Sequence, residues 1–159
     1  MGLYIHALFQ PTMTPSEWEK VWNESFELLQ KFPIPLMQAK VEIINDTKKL
    51  IYTANFLSDP NTDDERWNIV GDFLSYQRAE EVHLYKHLNQ YKRLKINCND
   101  DILIFHGDNL GDINANSIDL FDNKTQQGPY HLAILVVSLL LESRFPEQCY
   151  IYGDFSLEQ

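Results

Sequence analysis

Leu3, Ile5, Ala7 and Phe9 alternate with Tyr4, His6 and Leu8 at the start of the chain. A period of two makes residues 2–9 a strand, and the apolar bodies of Tyr4 and Leu8 imply that its second face is at least partly covered. Thr14-Pro15-Ser16-Glu17 follows as a capping box with proline at the first helical position, where a missing N–H costs nothing. The helix begun there carries Trp18, Val21, Trp22, Ser25, Phe26, Leu29 and Phe32 on one stripe and leaves Glu19, Lys20, Glu24, Glu27 and Lys31 to solvent. Pro33 stops it. Val41 and Ile43, then Leu50, Tyr52, Ala54 and Phe56, form two alternating runs around Asn45-Asp46-Thr47 and predict a β-hairpin over 40–56.

Turn-forming residues without an apolar period make 57–65 an exposed connection, and Trp67–Val70 is a short strand. From Ser75 as N-cap, the positions Tyr76, Ala79, Val82, Leu84, Tyr85, Leu88 and Tyr91 predict a second helix reaching Lys92. Leu94 and Ile96 suggest an extended piece, 97–101 a turn, and Ile102–Phe105 a buried strand. Residues 107–128 are rich in Gly, Asp and Asn and read as a long loop, the kind that is functional or disordered more often than a short one. Tyr130–Arg144 is apolar nearly all round and so predicts a central buried helix, stopped by Pro146, before a final strand at Cys149–Tyr152. Helices and short strands interleave without a regular βαβ beat, which implies a single α+β domain: a mixed or mainly antiparallel sheet packed with about three helices, one of them buried.

Composition narrows the function. In 159 residues, 44% hydrophobic and 13% aromatic content rules out wholesale disorder. Against a net charge of −10 and no basic cluster, nucleic-acid binding is excluded. The acidity is local, since residues 1–56 sum to −1, 57–94 to −2 and 95–159 to −7, and six Asp without a Lys or Arg lie between Asn97 and Asn123. Concentrated like charge on a well-formed core points to a basic protein partner, met by Asp108, Asp112, Asp119 and Asp122 on the acidic loop. Met1–Gln10 lacks the basic start of a secretory signal, and His6 stands where a myristoylation motif wants Ser or Thr. The longest apolar run, Leu132–Leu141, is broken by Ser138 and falls short of the ~20 residues of a membrane span. Cys98 and Cys149 make no disulfide framework, so two free thiols and a cytoplasmic setting are expected.

Candidate chemistry is sparse. Three Gly-Asp steps follow apolar runs and place Asp72, Asp108 and Asp154 at strand ends, where they either converge on a cation or polyol or simply cap turns. Asp112, Asn114 and Asn116 have the spacing that opens a calcium loop, but Ser117 replaces the required glycine and Asn123 the closing Glu, so no metal or other cofactor is assigned. His83 and His87, four apart on the second predicted helix, lack a third ligand. His106 beside Gly107-Asp108 is the histidine to pair with a strand-end carboxylate, and His131 at a helix N-terminus has its protonated form disfavoured by the dipole. Nucleophile-elbow, phosphate-loop, dinucleotide and zinc-protease motifs are all missing.

Gly128-Pro129-Tyr130-His131, the apolar helix, Leu141-Glu142-Ser143-Arg144-Phe145-Pro146 and Ile151-Tyr152-Gly153-Asp154 together resemble a segment in the N-terminal part of longer, uncharacterised bacterial proteins. That resemblance implies a bacterial cytosolic origin and a module of a longer chain, and it assigns no site residues. Two expectations follow. The first is a non-enzymatic interaction module with an acidic surface, of the immunity or antitoxin kind. The alternative is a cation-dependent hydrolase using the strand-end Asp residues with His106.

Overall fold

The computed structural model describes residues 4–9, 12–54, 65–91, 118–125 and 128–153. Strand β1 (Tyr4–Phe9) is buried on both faces over Ile5–Phe9. The capping box then forms as the sequence implies: the Thr14 side chain accepts from the Glu17 N–H, the Glu17 carboxylate accepts from the Thr14 N–H, and Pro15 opens helix α1 (Pro15–Gln30). Its inner stripe is Trp18, Val21, Trp22, Ser25 and Leu29, with Phe26 and Phe32 packed at the margin. The indoles of Trp18 and Trp22, one turn apart, donate to the carbonyls of Tyr85 and Leu84 at 3.1 and 2.8 Å. Burying two Trp thus leaves neither polar edge unsatisfied.

The hairpin consists of β2 (Leu36–Ile44) and β3 (Thr47–Thr53). Asn45 and Asp46 both take positive φ, 51° and 62°, as the mirror-image turn of a two-residue hairpin requires. With β4 (Arg66–Asp72) and β5 (Arg78–Tyr85) they build an antiparallel sheet of order β3-β2-β4-β5. β2 registers with β4 through Leu36↔Asp72 and Met37↔Gly71. Beyond that point the Asn68 side-chain amide takes over, accepting from the Ala39 N–H at 2.9 Å and donating to its carbonyl at 3.1 Å. The hairpin consequently leaves the sheet as an arm, with residues 41–50 exposed on both faces.

A second antiparallel sheet has the order β6-β1-β7, from β6 (Ile118–Lys124) and β7 (Cys149–Gly153). Helix α2 (Tyr130–Arg144) precedes β7. One continuous apolar cluster joins both sheets and both helices, from Ile5, Ala7 and Phe9 through Trp18, Trp22 and Trp67 to Ile134, Val137 and Leu141. The fold class is α+β with antiparallel sheets.

Three expectations are corrected. Residues 78–85 are β5 and not part of a helix from Ser75, and in this stretch the described helix is confined to 88–91. Local propensity in Ala79, Glu80, Glu81 and Leu84 favours a helix, but Val82 and Leu84 also fit a period of two, and pairing with β4 wins over propensity. The chain reverses before them because Tyr76 adopts φ 54° and Gly71 approaches Gln77 so closely that a Cβ would lie 2.0 Å from its carbonyl oxygen. Second, residues 118–124, read as loop, form β6. Its register shifts between Ala7↔Phe121 and Leu8↔Asp119, so Leu120 is an extra residue, and both Leu120 and Phe121 are buried. That bulge breaks the alternation by which a strand is recognised. Third, α2 is not buried all round: Leu132, Val136 and Leu139 are 60%, 37% and 63% exposed. Among the described residues no helix is long and apolar enough to cross a membrane.

Candidate functional site

The bulge decides which β6 side chains meet β1. Because Leu8 pairs with Asp119 and His6 with Asp122, both carboxylates fall on the same face of the sheet as the imidazole. His6 is buried, its Nε2 lies 2.6 Å from Asp119 Oδ1, and its Nδ1 lies 3.5 Å from Asp122 Oδ1. From β7, Tyr152 covers the ring at a centroid distance of 4.7 Å. Burial pushes the Asp122 carboxyl up, and its Oδ1 has no hydrogen-bond partner among the described residues. The imidazole is thus hydrogen-bonded to Asp119 on one side and faces the Asp122 carboxyl, without a hydrogen bond, on the other. Asp119 and Asp122 therefore sit on a strand, partly exposed, with a buried imidazole between them. Sequence reasoning missed His6 as a site residue. Its signal was present in the alternation of β1, which puts it on the face opposite Ile5 and Ala7.

Asp72 is fully buried at the end of β4. Its carboxylate accepts from the Ser75 N–H at 2.7 Å, the Ser75 hydroxyl at 2.9 Å and the Tyr130 N–H at 3.3 Å. It holds the β4–β5 turn and, from a distant strand, caps α2, whose own Pro129 supplies no cap. Replacing Asp72 with Ala is expected to destabilise the fold by about 1.5–3 kcal/mol, because three donors lose a charged acceptor. Urea unfolding of both proteins checks this, and an unchanged midpoint would remove Asp72 from the list of structural ties.

Close by, the His131 Nδ1 and the Thr125 hydroxyl are hydrogen-bonded, while the buried His131 Nε2 and Tyr130 hydroxyl have no partner among the described residues. Burial lowers the His131 pKa, the direction expected from the sequence although the cause is desolvation. Burial also raises the Tyr130 phenol, with Asp72 and Glu80 adding to it. Cys149 is a free buried thiol pushed up to about 12, by burial first and then by Glu142.

His83 and His87 do not form an i, i+4 helical pair. His83 lies on β5, 3.6 Å from Glu81, and His87 follows the strand, 3.8 Å from Glu65. Burial, and then the Arg66 guanidinium, lower the His83 pKa from 6.5 to about 4. Arg66 pairs with Glu81 at 3.2 Å, so that carboxylate lies between the guanidinium and the imidazole. Since the unfolded chain binds the proton more tightly, stability is complete above the unfolded pKa of 6.5 and declines as pH falls toward 4. Urea midpoints measured from pH 7 down to 4 are expected to fall less steeply in His83→Gln than in the wild type. Parallel curves would show that His83 protonates equally well in both states.

A concavity of about 530 Å³ opens where the arm leaves the sheet, lined by Ala39, Leu50, Tyr52, Val70, Arg78 and Glu81, with the Arg78 guanidinium 4.8 Å from the Tyr52 ring. Among the described residues no group of three or more His, Cys, Asp or Glu is placed to hold a metal ion. Cys98, His106, Asp108, Asp112, Asn114, Asn116 and Asp154, with nearly all of the 57–65 connection, lie outside the described residues. Comparison of the chain with protein-family models, curated proteins and solved structures finds no match.

Proposed function

We propose that the protein is a non-enzymatic interaction module for a basic protein partner. The observation that carries this reading is the stripe on α2, where Leu132, Val136 and Leu139 stand in water at helical spacing and the exposed Glu142 continues the row. Leucines at that exposure are apolar anchors without a core to fill, and contiguous apolar surface of this kind marks contact sites. The stretch of sequence that contains α2, residues 95–159, sums to −7, so a partner that combines an apolar ridge with Lys or Arg gains both burial and steering. An immunity or antitoxin protein neutralising a basic toxin has this chemistry. The unpaired, buried Cys149 thiol fits a cytoplasmic home.

The test is a double variant, Leu132→Asp with Leu139→Asp, both at exposed positions. Wild type is expected to capture a basic protein in low salt and release it in high salt, while the variant melts normally and captures none. Identical capture by both, or capture by neither, would end the reading.

The hydrolase alternative draws less support: the Asp72 carboxylate is committed to Ser75 and Tyr130, and His6, Asp119 and Asp122, though close together, are not placed to hold a metal ion. Its signature is divalent-cation-dependent turnover of ester substrates by wild type that His6→Gln lacks.

A further inference from the structure

We infer that the β2–β3 arm is a self-association surface, on which the β3 edges of two copies pair antiparallel about a twofold axis through Leu50. This surface uses other residues than the α2 stripe and does not depend on it.

The argument begins with the hairpin turn. A two-residue turn at Asn45-Asp46 is closed by a hydrogen-bonded Ile44↔Thr47 pair, and bonded pairs then recur at every second residue: Glu42↔Lys49, Lys40↔Ile51 and Gln38↔Thr53. The N–H and C=O groups of Thr47, Lys49 and Ile51 consequently point at β2, and those of Lys48, Leu50 and Tyr52 point away from it. β3 is the outer strand of its sheet, and among the described residues nothing pairs with that outward row. The row is symmetric about Leu50. A second β3 laid antiparallel on that centre faces Leu50 with Leu50 and Lys48 with Tyr52, so all three residues of each copy exchange both backbone bonds with a residue of the other. Centring on Lys48 would set lysine against lysine, and centring on Tyr52 would leave Lys48 without a strand residue to face.

Side chains fit the same register. Val41 lies opposite Leu50 and Ile43 opposite Lys48, so Val41, Ile43 and Leu50 share one face of the arm. They are 65%, 71% and 57% exposed, an apolar row that the arm alone cannot cover. In the pair, Val41 and Leu50 of both copies line up as one four-strand ladder. On the other face Lys49 meets Ile51, beside its own partner Glu42. No like charges oppose one another.

Charge favours this part of the chain. The arm holds Lys40, Lys48 and Lys49 against Glu42 and Asp46, a local excess of positive charge on a chain of −10. Each copy offers one such edge, so the assembly closes at two chains.

Sedimentation and backbone amide exchange of the full chain over a wide concentration range test the inference. The wild type is expected to shift from 18.7 kDa to twice that mass as concentration rises. In parallel, the amides of Lys48, Leu50 and Tyr52 slow down, while those of Lys49 and Ile51, bonded within the hairpin, are slow throughout. Leu50→Asp, at an exposed position, is expected to weaken association by about tenfold or more with an unchanged melting curve. A wild type that stays monomeric at every concentration overturns the inference. So does a dimer in which the Lys48, Leu50 and Tyr52 amides exchange as fast as in the monomer, whether or not the Leu50→Asp chain folds.

Discussion

Truncating Trp67 to alanine is expected to cost about 3–5 kcal/mol, a large part of the roughly 5–15 kcal/mol that holds an ordinary domain together. The indole is completely buried on β4, in the cluster shared by α1 and β5. Its Nε1 donates to the Ser25 hydroxyl at 2.9 Å, and that hydroxyl in turn donates to the Trp22 carbonyl at 2.6 Å. Removing the ring therefore opens a cavity and strips the acceptor side of a buried hydroxyl. Trp67→Phe separates the two effects, since it keeps most of the volume and loses the bond, and a loss nearer 1–2 kcal/mol is expected. Urea midpoints of the three proteins give the comparison. Equal losses in both variants would mean that the hydrogen bond dominates and packing contributes little.

Trp67 also marks the boundary of what the sequence discloses. Wherever an element is specified by neighbours in the chain, reading it requires no fold. Thr14 and Glu17 bond each other across one turn, the stripe from Trp18 to Leu29 is set by the helical period, and Asn45-Asp46 turns the hairpin by its own left-handed preference. Elements specified from far away are another matter. Residues 78–85 have the composition of a helix, and what makes them β5 is pairing with Trp67, Asn68 and Ile69. β6 is concealed by its bulge, because the extra Leu120 converts a clean alternation into an irregular apolar cluster.

The candidate site fails to show in the sequence for the same reason. Asp119 and Asp122 are visible as acidic residues, but a period-two strand would send residues three apart to opposite faces. The bulge alone brings both to His6, 113 and 116 positions away in the chain. Asp72 illustrates the converse. Gly71-Asp72 is legible as a turn, and the turn is there, but the bond to the Tyr130 N–H that makes the carboxylate a helix cap spans 58 positions.

Helix α2 tests how far apolar composition can be trusted as a guide to burial. Tyr130, Ala133, Ile134, Val137, Ser138 and Leu141 form the buried stripe, and Ser138 satisfies its hydroxyl on the Ile134 carbonyl at 2.8 Å. Leu132, Val136 and Leu139 are just as apolar and face out. A helix that is hydrophobic on every side carries no sequence signal for which stripe is inside. The expected result is a sharp contrast between two identical substitutions. Leu141→Ala, at a fully buried position of the shared core, should destabilise by about 2–5 kcal/mol. Leu139→Ala, two residues earlier, should stay within about 0.5 kcal/mol of wild type, since little packing is lost and alanine suits a helix. Thermal and urea melts of the two variants make the measurement. A comparable loss at both positions would show that something covers Leu139 in solution, and the α2 stripe would then cease to be a surface available to a partner.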